Sequence, residues 1–333
     1  MKTIGVIGTG NMGADHARRL SGKVSGARVA AVFDVDQARA NEVARSIGAV
    51  SLAHARDVID HAEVDAVVIA TPGETHAELT IAAIAAGKPV LCEKPLAPTT
   101  AECLAVLEAE RSAGKQLVQV GFMRRFDSGY QEVKSAVEAG EIGEVLIMHC
   151  LHRNPTVPPS FTSDMSLTDS VVHEIDVARW LSGEEVVSTS VVPVRRSPLA
   201  AHHLKDPQLV LLETSSGVVV EVEVFVNARY AYDVRCEVVG SLGAVSLETP
   251  TVSAVRRDGM RRSVVQDNWR TRFGGAYLAE LQAWVDGLEA GRADGPGAWD
   301  GYAATAVAES CVRSLESGER TKVELAEKPA FYN

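Results

Sequence analysis

Residues 2–21 read KTIGVIGTGNMGADHARRLS, an apolar run followed by a glycine cluster and then by a stretch typical of a helix. The run at 2–7 has the near-continuous hydrophobicity of a buried parallel strand. The cluster at 8–13 is a Gly-x-Gly-x-x-Gly turn, which between a strand and a helix indicates a dinucleotide site. The segment therefore predicts the start of a doubly wound α/β domain.

The glycine turn predicts how a dinucleotide is held. Gly8 permits the tight turn, Gly10 lets the backbone approach a pyrophosphate, and Gly13 lets the helix pack on the strand. Asn11 and Met12 complete the turn, next to a helix N-terminus whose free N–H groups and positive dipole favour phosphate. We count these five residues as candidate cofactor contacts.

Asp34 is the residue expected to select the cofactor. It follows a second predicted strand, at 28–33, about 20 residues after the glycine turn, where an acid contacts the adenine ribose. A carboxylate there accepts both ribose hydroxyls of NAD and repels the extra phosphate of NADP, which neither Val35 nor Asp36 would neutralise. The alternative is a structural turn with an incidental acid. The sequence therefore predicts NAD as the cofactor.

Strands and helices continue to alternate through residue 122. Such alternation predicts a parallel sheet with right-handed crossovers, as in a Rossmann domain. The further predicted strands are at 64–70, 89–95 and 116–122, and the predicted helices are at 14–21, 37–47, 76–86 and 99–113.

The pattern changes after residue 122. Longer stretches alternate apolar and polar residues, which favours an antiparallel sheet with one exposed face. These predicted strands lie within 144–153, 186–195, 209–230 and 233–248, and the predicted helices are at 166–183, 276–290 and 299–316. We expect an α/β protein with two domains, a dinucleotide-binding domain at 1–122 and a substrate-binding and oligomerisation domain at 123–333 with an open, largely antiparallel sheet.

Composition excludes several classes of protein. With 33 Lys and Arg against 44 Asp and Glu, the chain has a net charge of −11, which argues against a nucleic-acid-binding surface. Its five cysteines show no Cys-x-x-Cys spacing, so neither a disulfide framework nor a zinc site is expected. No apolar run approaches the ~18 residues of a membrane span, and the N-terminus does not resemble a signal peptide. We expect a cytoplasmic protein that acts on a small molecule.

Two further motifs carry reactive side chains. Lys94, in Glu93-Lys94-Pro95, lies at the carboxyl end of a predicted parallel strand, where open α/β sheets bind their ligands. The alternative is a solvated surface lysine. Asp169 and His173 are four residues apart on one face of a predicted helix, so the carboxylate can orient the imidazole as a base. The alternative is an exposed ion pair.

Polar side chains of the second half are candidates for binding a polyol. His152 and Asn154 share one face of a predicted strand and offer hydrogen bonds, although a filled polar core explains them equally well. His149 and His152 lack a third ligand at a suitable spacing, so no metal is predicted. Arg124 and its neighbour Arg125 suit a phosphate or carboxylate, or form a solvated pair at a domain edge.

Together these motifs resemble the Gfo/Idh/MocA oxidoreductases. The resemblance rests on the glycine turn with its acid, ATPGETH at 70–76, EKP at 93–95, and the helix carrying Asp169 and His173. GFMRRFDSGY at 121–130 and HCLHRNPTVP at 149–158 are similar to the cyclitol-oxidising members of that family. The resemblance implies NAD-dependent oxidation of myo-inositol at its axial hydroxyl, with no metal. Oxidation of another cyclitol such as D-chiro-inositol or of a sugar, an NAD-dependent glycoside hydrolase, and an NAD-binding sensor remain alternatives.

The same resemblance implies site residues and an assembly. Lys94, Asp169 and His173 occupy the catalytic positions and also contact the substrate. The positions implied around the nicotinamide are Ala70, Thr71, His76, Glu93 and Lys94. The positions implied around the polyol are Met123, Arg124, His152, Asn154, Ser170 and Tyr232, with Tyr230 as a rival to the last. A homotetramer formed through the open sheet is implied, and the alternating stretch VVVEVEVFV at 218–226 predicts that Glu221 and Glu223 share one face of it.

Overall fold

The protein is described by a computed structural model that covers residues 1–247, 254–291 and 294–332. The chain divides into two compact units. Unit 1 comprises Met1–Phe122, Tyr277–Thr305 and Leu325–Asn333, and unit 2 comprises Met123–Ala276 and Ala306–Glu324.

Unit 1 therefore contains more than the predicted residues 1–122. The chain returns to it after residue 276 because Leu281, Trp284 and Val285 pack in the same apolar core as the first strand and helix. Near the end of the chain, the hydroxyl of Tyr332 donates a hydrogen bond to the buried carboxylate of Glu110. These contacts join segments far apart in sequence, which local patterns do not reveal.

Unit 1 is built on a parallel sheet with the strand order β3-β2-β1-β4-β5-β6. The order reverses between β1 and β4, and open α/β sheets bind ligands at the carboxyl ends of strands beside such a reversal. Its strands are β1 Lys2–Ile7, β2 Ala27–Phe33, β3 Val50–Ser51, β4 Ala66–Ile69, β5 Val90–Cys92 and β6 Val118–Val120. Its first helices are α1 Asn11–Gly22, α2 Gln37–Ile47, α3 Ala55–Asp60, α4 His76–Ala85 and α5 Thr100–Ala113.

The predicted alternation is confirmed in this unit, with two omissions. The prediction lacked β3 and α3, which are short and partly exposed and so show no clear hydrophobic period. Helix α1 begins at Asn11 instead of residue 14, because Gly10 takes the cap position. Helix α5 begins with a capping box, in which Thr99 and Glu102 satisfy each other's backbone N–H groups.

Unit 2 is built on a mixed sheet with the strand order β12-β11-β7-β10-β9-β8-β15. Only the β7–β10 pair is parallel among the described strands of this sheet, so the prediction of a largely antiparallel sheet is confirmed. Its strands are β7 Val145–Arg153, β8 Val186–Pro193, β9 Gln208–Thr214, β10 Val219–Phe225, β11 Asp233–Gly240, β12 Ala244–Ser246 and β15 Thr321–Lys322. A separate hairpin consists of β13 Ala254–Arg257 and β14 Met260–Ser263. Residue 248, the last of the strand predicted at 233–248, lies outside the described residues.

The remaining helices include one with an unusual start. They are α6 Ser128–Glu138, α7 Val172–Ser182, α8 Trp269–Ala290 and α9 Ala298–Ser317. The predicted helix at 166–183 is not one regular helix, because Ser166–Val171 forms a π-helical turn ahead of α7. A π turn has i→i+5 hydrogen bonds, so Asp169 and His173 do not have the simple i, i+4 relation that a continuous α-helix would give. No helix in the described parts of the chain is long and apolar enough to cross a membrane.

Strand β10 shows how the unit 2 sheet separates its two faces. Val220, Val222 and Val224 are fully buried, whereas Glu221 and Glu223 alternate with them and are half-buried on the opposite face. The predicted alternation is confirmed, and the two glutamates lie on one face.

Candidate functional site

The turn after β1 is shaped by three glycines with different constraints. Gly8 has a φ of +91°, and a Cβ there would lie 2.6 Å from the carbonyl oxygen of Ala70. A Cβ on Gly13 would overlap the carbonyl oxygen of Gly8, so the helix can approach the turn only without a side chain. At Gly10 the nearest described atom to such a Cβ is a guanidinium nitrogen of Arg39, 3.9 Å away. Packing therefore does not explain Gly10, whereas close approach of a pyrophosphate does.

The N-terminus of α1 suits the phosphates of a dinucleotide. Helix α1 has no side-chain cap and no acidic residue in its first turn. Its first N–H groups and its positive dipole end are therefore available to an anion. Asn11 is exposed and Met12 is half-buried at this turn.

Asp34 is fixed at the end of β2 by hydrogen bonds to its carboxylate. The backbone N–H and the hydroxyl of Thr9 donate to Oδ2 over 2.7 Å and 3.1 Å, and the N–H of Asp36 donates to Oδ1 over 2.9 Å. A carboxylate has about four acceptor positions, so with three donors bound Asp34 keeps one position for a ribose hydroxyl. The glycine turn, the helix N-terminus and this carboxylate together fit NAD.

Arg39 is a residue that the sequence reasoning missed at this place. Asp36 caps α2 by accepting a hydrogen bond from the N–H of Arg39. Nη2 of Arg39 lies 3.6 Å from Oδ1 of Asp34 and 3.3 Å from Oδ2 of Asp36. Asp36, as a potential helix cap three residues before an arginine, was the available signal. A cation beside Asp34 reduces the repulsion that the carboxylate alone would exert on a 2′-phosphate.

The loop after β4 contains His76, whose ring is enclosed by backbone carbonyl groups. Its Nδ1 donates to the carbonyl oxygen of Pro95 over 2.7 Å, and its Nε2 donates to that of Thr71 over 2.8 Å. Only 1% of His76 is exposed. Burial lowers the pKa of His76, but Cys92 and the two carbonyl groups outweigh it and raise the pKa to about 9. Ala70 and Thr71, also implied near the nicotinamide, are half-buried at the end of β4.

The Glu93-Lys94-Pro95 segment follows β5. Lys94 is half-buried there, and the Lys94–Pro95 peptide bond is cis. Glu93 is nearly buried and accepts a hydrogen bond from Nε2 of His16 over 2.7 Å. A Cβ on Gly121 would lie 2.9 Å from Oε2 of Glu93, so the glycine makes room for this carboxylate.

His16 is a second residue that the sequence reasoning missed. It is fully buried in α1, with Gly13, Ala17 and Leu20 on the same side of the helix. A polar side chain at a position of the apolar face was the signal that distinguished it from a surface histidine.

A buried ion cluster lies at the centre of the candidate site residues in unit 2. Arg124 is 1% exposed, and its Nη1 donates to Oε1 of Glu174. Nδ1 of His152 lies 3.1 Å from Nη2 of Arg124 and 3.1 Å from Oε2 of Glu174. When Nδ1 carries no proton it accepts a hydrogen bond from the guanidinium, and when it carries one it donates to the carboxylate. Burial raises the pKa of Glu174, but Arg124 and His152 outweigh it, and the pKa lies below its usual value. Arg124 thus pairs with a carboxylate of the protein itself, and sequence reasoning had not included Glu174.

Aromatic rings extend this cluster. The ring of Tyr232 lies edge-on to that of His152, with 5.8 Å between the ring centroids, and Tyr232 is buried. The ring of His173 lies 6.4 Å from that of His152. Tyr230 is 54% exposed, and its hydroxyl donates to Asp233. The structure therefore groups Tyr232, and not Tyr230, with His152 and His173.

The other polyol candidates lie in neighbouring segments of unit 2. Met123 begins a 3-10 turn and is buried, and Ser170 is buried in the π-helical turn. Asp169 is exposed in the same turn. Asn154 is half-buried after β7, and its backbone N–H donates to the carbonyl oxygen of Phe225 over 3.0 Å. In the described residues, no group of three or more His, Cys, Asp or Glu side chains is arranged to hold a metal ion.

The arrangement has two chemical capabilities. In unit 1, the glycine turn, Asp34 and Lys94 follow the carboxyl ends of β1, β2 and β5. In unit 2, an ion pair holds His152, and the rings of His173 and Tyr232 lie beside it, so groups suited to hydroxyl recognition and proton removal are close together. Dinucleotide binding and oxidation of an alcohol are consistent with these groups.

Both parts of the chain match known protein families. Residues 2–122 match an oxidoreductase family with an NAD-binding Rossmann fold, and residues 134–325 match the C-terminal alpha/beta domain of the same family. NAD is therefore the cofactor that the first unit binds.

Individual relatives cover nearly the whole chain. Inositol 2-dehydrogenase 1 of Saccharopolyspora erythraea is 54% identical, with 99% of this chain and 98% of that protein covered. Inositol 2-dehydrogenase of Ralstonia nicotianae is 47% identical at the same coverage. The crystal structure of myo-inositol dehydrogenase from Lactobacillus casei in complex with NAD(H) and myo-inositol superposes with a TM-score of 0.97 at 34% identity, covering 100% of both chains. On sequence and fold alike, the chain belongs to the Gfo/Idh/MocA family of NAD-binding oxidoreductases.

Proposed function

We propose that this chain is an inositol 2-dehydrogenase, which oxidises myo-inositol to 2-keto-myo-inositol (scyllo-inosose) and reduces NAD. The observation that carries the proposal is the full-length likeness to the Lactobacillus casei enzyme, whose crystal structure contains NAD(H) and myo-inositol. The names of the bacterial relatives at 54% and 47% identity agree with it.

In the proposed chemistry, side chains of the protein remove the proton of the substrate and NAD accepts the hydride. His173 removes the proton of the reacting hydroxyl, and Asp169 orients and stabilises the resulting imidazolium. Lys94 donates a hydrogen bond to the developing alkoxide and supplies the positive charge that a metal supplies elsewhere. Bound NAD accepts the hydride at C4 of its nicotinamide.

Recognition of the polyol is assigned to the cluster of unit 2. His152 is held by Arg124 and Glu174, so its remaining ring nitrogen, Nε2, is fixed for a substrate hydroxyl. Tyr232 lies beside that ring and offers a further hydroxyl. Met123, Asn154 and Ser170 are proposed to complete the contacts of the polyol.

The experiment that tests the proposal is a panel of polyols with NAD, read by the absorbance of NADH. We expect myo-inositol to give the highest kcat/KM among myo-, scyllo- and D-chiro-inositol and glucose. A higher kcat/KM for another member would reassign the substrate to another cyclitol or a sugar. Turnover of a glycoside without net NADH would instead identify an NAD-dependent glycoside hydrolase.

We also propose that the chain forms a homotetramer through the open face of the unit 2 sheet, and that it acts in the cytoplasm. That face carries apolar side chains among its charges, and such a mixture is typical of subunit contacts. The apolar residues are Ile147, Leu151, Leu209, Leu211 and Phe225, all half-buried. The five cysteines are buried free thiols, as a reducing compartment permits. A monomeric mass by light scattering at micromolar concentration would refute the assembly.

A further inference from the structure

The two residues that flank Lys94 are each held by a buried histidine from another element. Glu93 precedes Lys94 and is bonded through its side chain to His16 of α1. Pro95 follows Lys94 and is bonded through its carbonyl oxygen to His76 of α4. The Glu93-Lys94-Pro95 segment, called here the EKP segment, is therefore held by hydrogen bonds on both sides of its lysine.

The contact of His16 defines the position of its proton. Nε2 lies 2.7 Å from Oε1 of Glu93, and Nδ1 is buried without a hydrogen-bond partner in the described part of the chain. A single ring proton on Nε2 satisfies the carboxylate, so a neutral imidazole suffices. The ring of Tyr277 packs edge-on against His16, with 5.9 Å between the ring centroids, and limits its rotation.

The contacts of His76 require a second proton. Its two ring nitrogens face the carbonyl oxygens of Pro95 and Thr71, which are acceptors only. A neutral imidazole donates from one nitrogen, so both bonds form only when the ring is an imidazolium. Cys92 of β5 is a titratable group that faces the ring, and its sulfur adds a further acceptor.

We propose that His16 and His76 are positioning residues for Lys94, His16 as a neutral donor and His76 as an imidazolium that ties the loop after β4 to the EKP segment. The proposal rests on the role assigned to Lys94 in the proposed function. Holding both chain neighbours of a residue fixes its Cα and restricts where its side chain can reach. A displacement of about 1 Å at a reacting group costs about 10²-fold in rate, so this restraint acts on kcat.

A purely structural role for the histidines makes a different prediction. Loss of packing would lower the stability of the fold, but it would not act through one lysine. The two roles are separated by kcat at a temperature well below unfolding, together with the Kd for NAD and the rescue of activity by a residue that keeps the hydrogen bond.

The first test concerns His16. We expect H16A to lower kcat about 10- to 100-fold while the Kd for NAD changes less than threefold, because the phosphates and ribose are bound elsewhere in unit 1. His16→Gln keeps a donor toward Glu93, so it should recover most of kcat. His54→Ala, at an exposed histidine of the same unit, is the matched control and should behave as wild type. Equal kcat for H16A and wild type, or no recovery by H16Q, would overturn the role of His16.

The second test combines the histidine and lysine changes. If His16 acts only through Lys94, H16A should reduce kcat no further in a K94A background. Losses that multiply would show that His16 acts independently of Lys94 and would overturn the proposal. If K94A alone retained wild-type kcat, the proposed function of Lys94 would fail instead, so the two failures are distinguishable.

The third test measures the protonation of His76 in the unmodified chain. Histidine-selective ¹⁵N NMR at pH 8, with the His76 signals assigned by their loss in H76Q, should show both ring nitrogens of His76 protonated. H76Q itself should not recover kcat, because one side-chain amide cannot replace donors on two ring nitrogens. A neutral His76 at pH 8, or wild-type kcat in H76Q, would overturn the role of His76.

Discussion

The two units obtain their site residues in different ways. In unit 1, Gly8, Asp34 and Lys94 each follow a strand of one parallel sheet, and such a sheet brings the ends of its strands to one edge. In unit 2, the central contact joins Arg124 to Glu174, which are 50 residues apart in sequence and lie on different elements. The first arrangement depends on backbone geometry, whereas the second exists only when all of its charged members are present. We therefore expect changes at Gly10 and Asp34 each to alter cofactor binding on their own, and changes in the unit 2 cluster to act on chemistry or on the whole cluster.

The largest expected effect is that of His173→Ala. Removing a positioned general base should lower kcat about 10²- to 10⁴-fold. Activity of wild type should rise with pH as a base loses its proton, and this rise should be absent from the variant. The Kd for NAD, measured by titration calorimetry, should stay within about twofold, because the cofactor-binding groups belong to unit 1. His202→Ala, at an exposed histidine of unit 2, is the control. Near-normal kcat with an unchanged pH profile would remove His173 from the mechanism.

The next effect concerns the buried cluster. Arg124→Leu leaves the carboxylate of Glu174 buried without its main partner, which should lower the free energy of unfolding by about 3–5 kcal/mol in urea titrations. The double variant Arg124→Leu, Glu174→Leu should recover a large part of that loss, because no buried charge remains. Arg56→Ala removes an exposed ion pair with Asp60 and serves as the control that should leave stability unchanged. Equal stability of the single and double variants would show that the cluster is not a unit.

Two glycines of unit 1 separate packing from cofactor binding. Gly13→Ala forces a Cβ onto the carbonyl oxygen of Gly8 and should cost about 3 kcal/mol of stability. Gly10→Ala finds space in the protein, so thermal unfolding should change little while the Kd for NAD rises about tenfold, through loss of close contact with the pyrophosphate. If Gly10→Ala bound NAD as wild type does, the dinucleotide would not approach the backbone at residue 10.

The same difference explains what the sequence could predict. The glycine turn, Asp34 and the alternation of strands and helices in unit 1 follow from local patterns, because each is set within a strand–turn–helix segment. Glu174 was not predicted as a partner of Arg124, since pairing across 50 residues leaves no local spacing to recognise. The π-helical turn at Ser166–Val171 was also not predicted, because its residues keep an ordinary helical pattern. Resemblance to a family supplied Met123, Ser170 and Tyr232 as polyol candidates, with Tyr230 as a rival. The structure places the ring of Tyr232 beside that of His152.

A smaller effect follows from the charge of His76. Its pKa in the folded protein is about 9, above the ordinary value of about 6.5, so the folded state holds the proton more tightly. The stabilisation that this proton gives the folded state is therefore complete below about pH 6.5 and is lost as the pH rises through 9. The contribution of His76 to the free energy of unfolding falls by about 2 kcal/mol between pH 7 and 9. Urea titrations across this range should show that the stability difference between wild type and His76→Gln shrinks. The comparison should be repeated in a Cys92→Ser background, because the Cys92 side chain faces the ring and contributes to the raised pKa of His76. A constant difference between the two proteins would show that His76 takes up no additional proton on folding.

The smallest expected effect tests Arg39, a cation that lies beside Asp34. Asp34 should make wild type prefer NAD, but Arg39 lies 3.6 Å from its carboxylate and is available to a 2′-phosphate once that carboxylate is removed. Asp34→Ser should therefore raise kcat/KM for NADP about tenfold and lower it for NAD, as measured by initial rates with each cofactor. Adding Arg39→Ala should abolish the gain with NADP and leave the rate with NAD almost unchanged from that of Asp34→Ser. Arg45→Ala, at an exposed arginine further along α2, is the matched control. If the gain survived the loss of Arg39, relief of repulsion by Asp34 alone would account for it, and cofactor choice in unit 1 would again depend on a single residue.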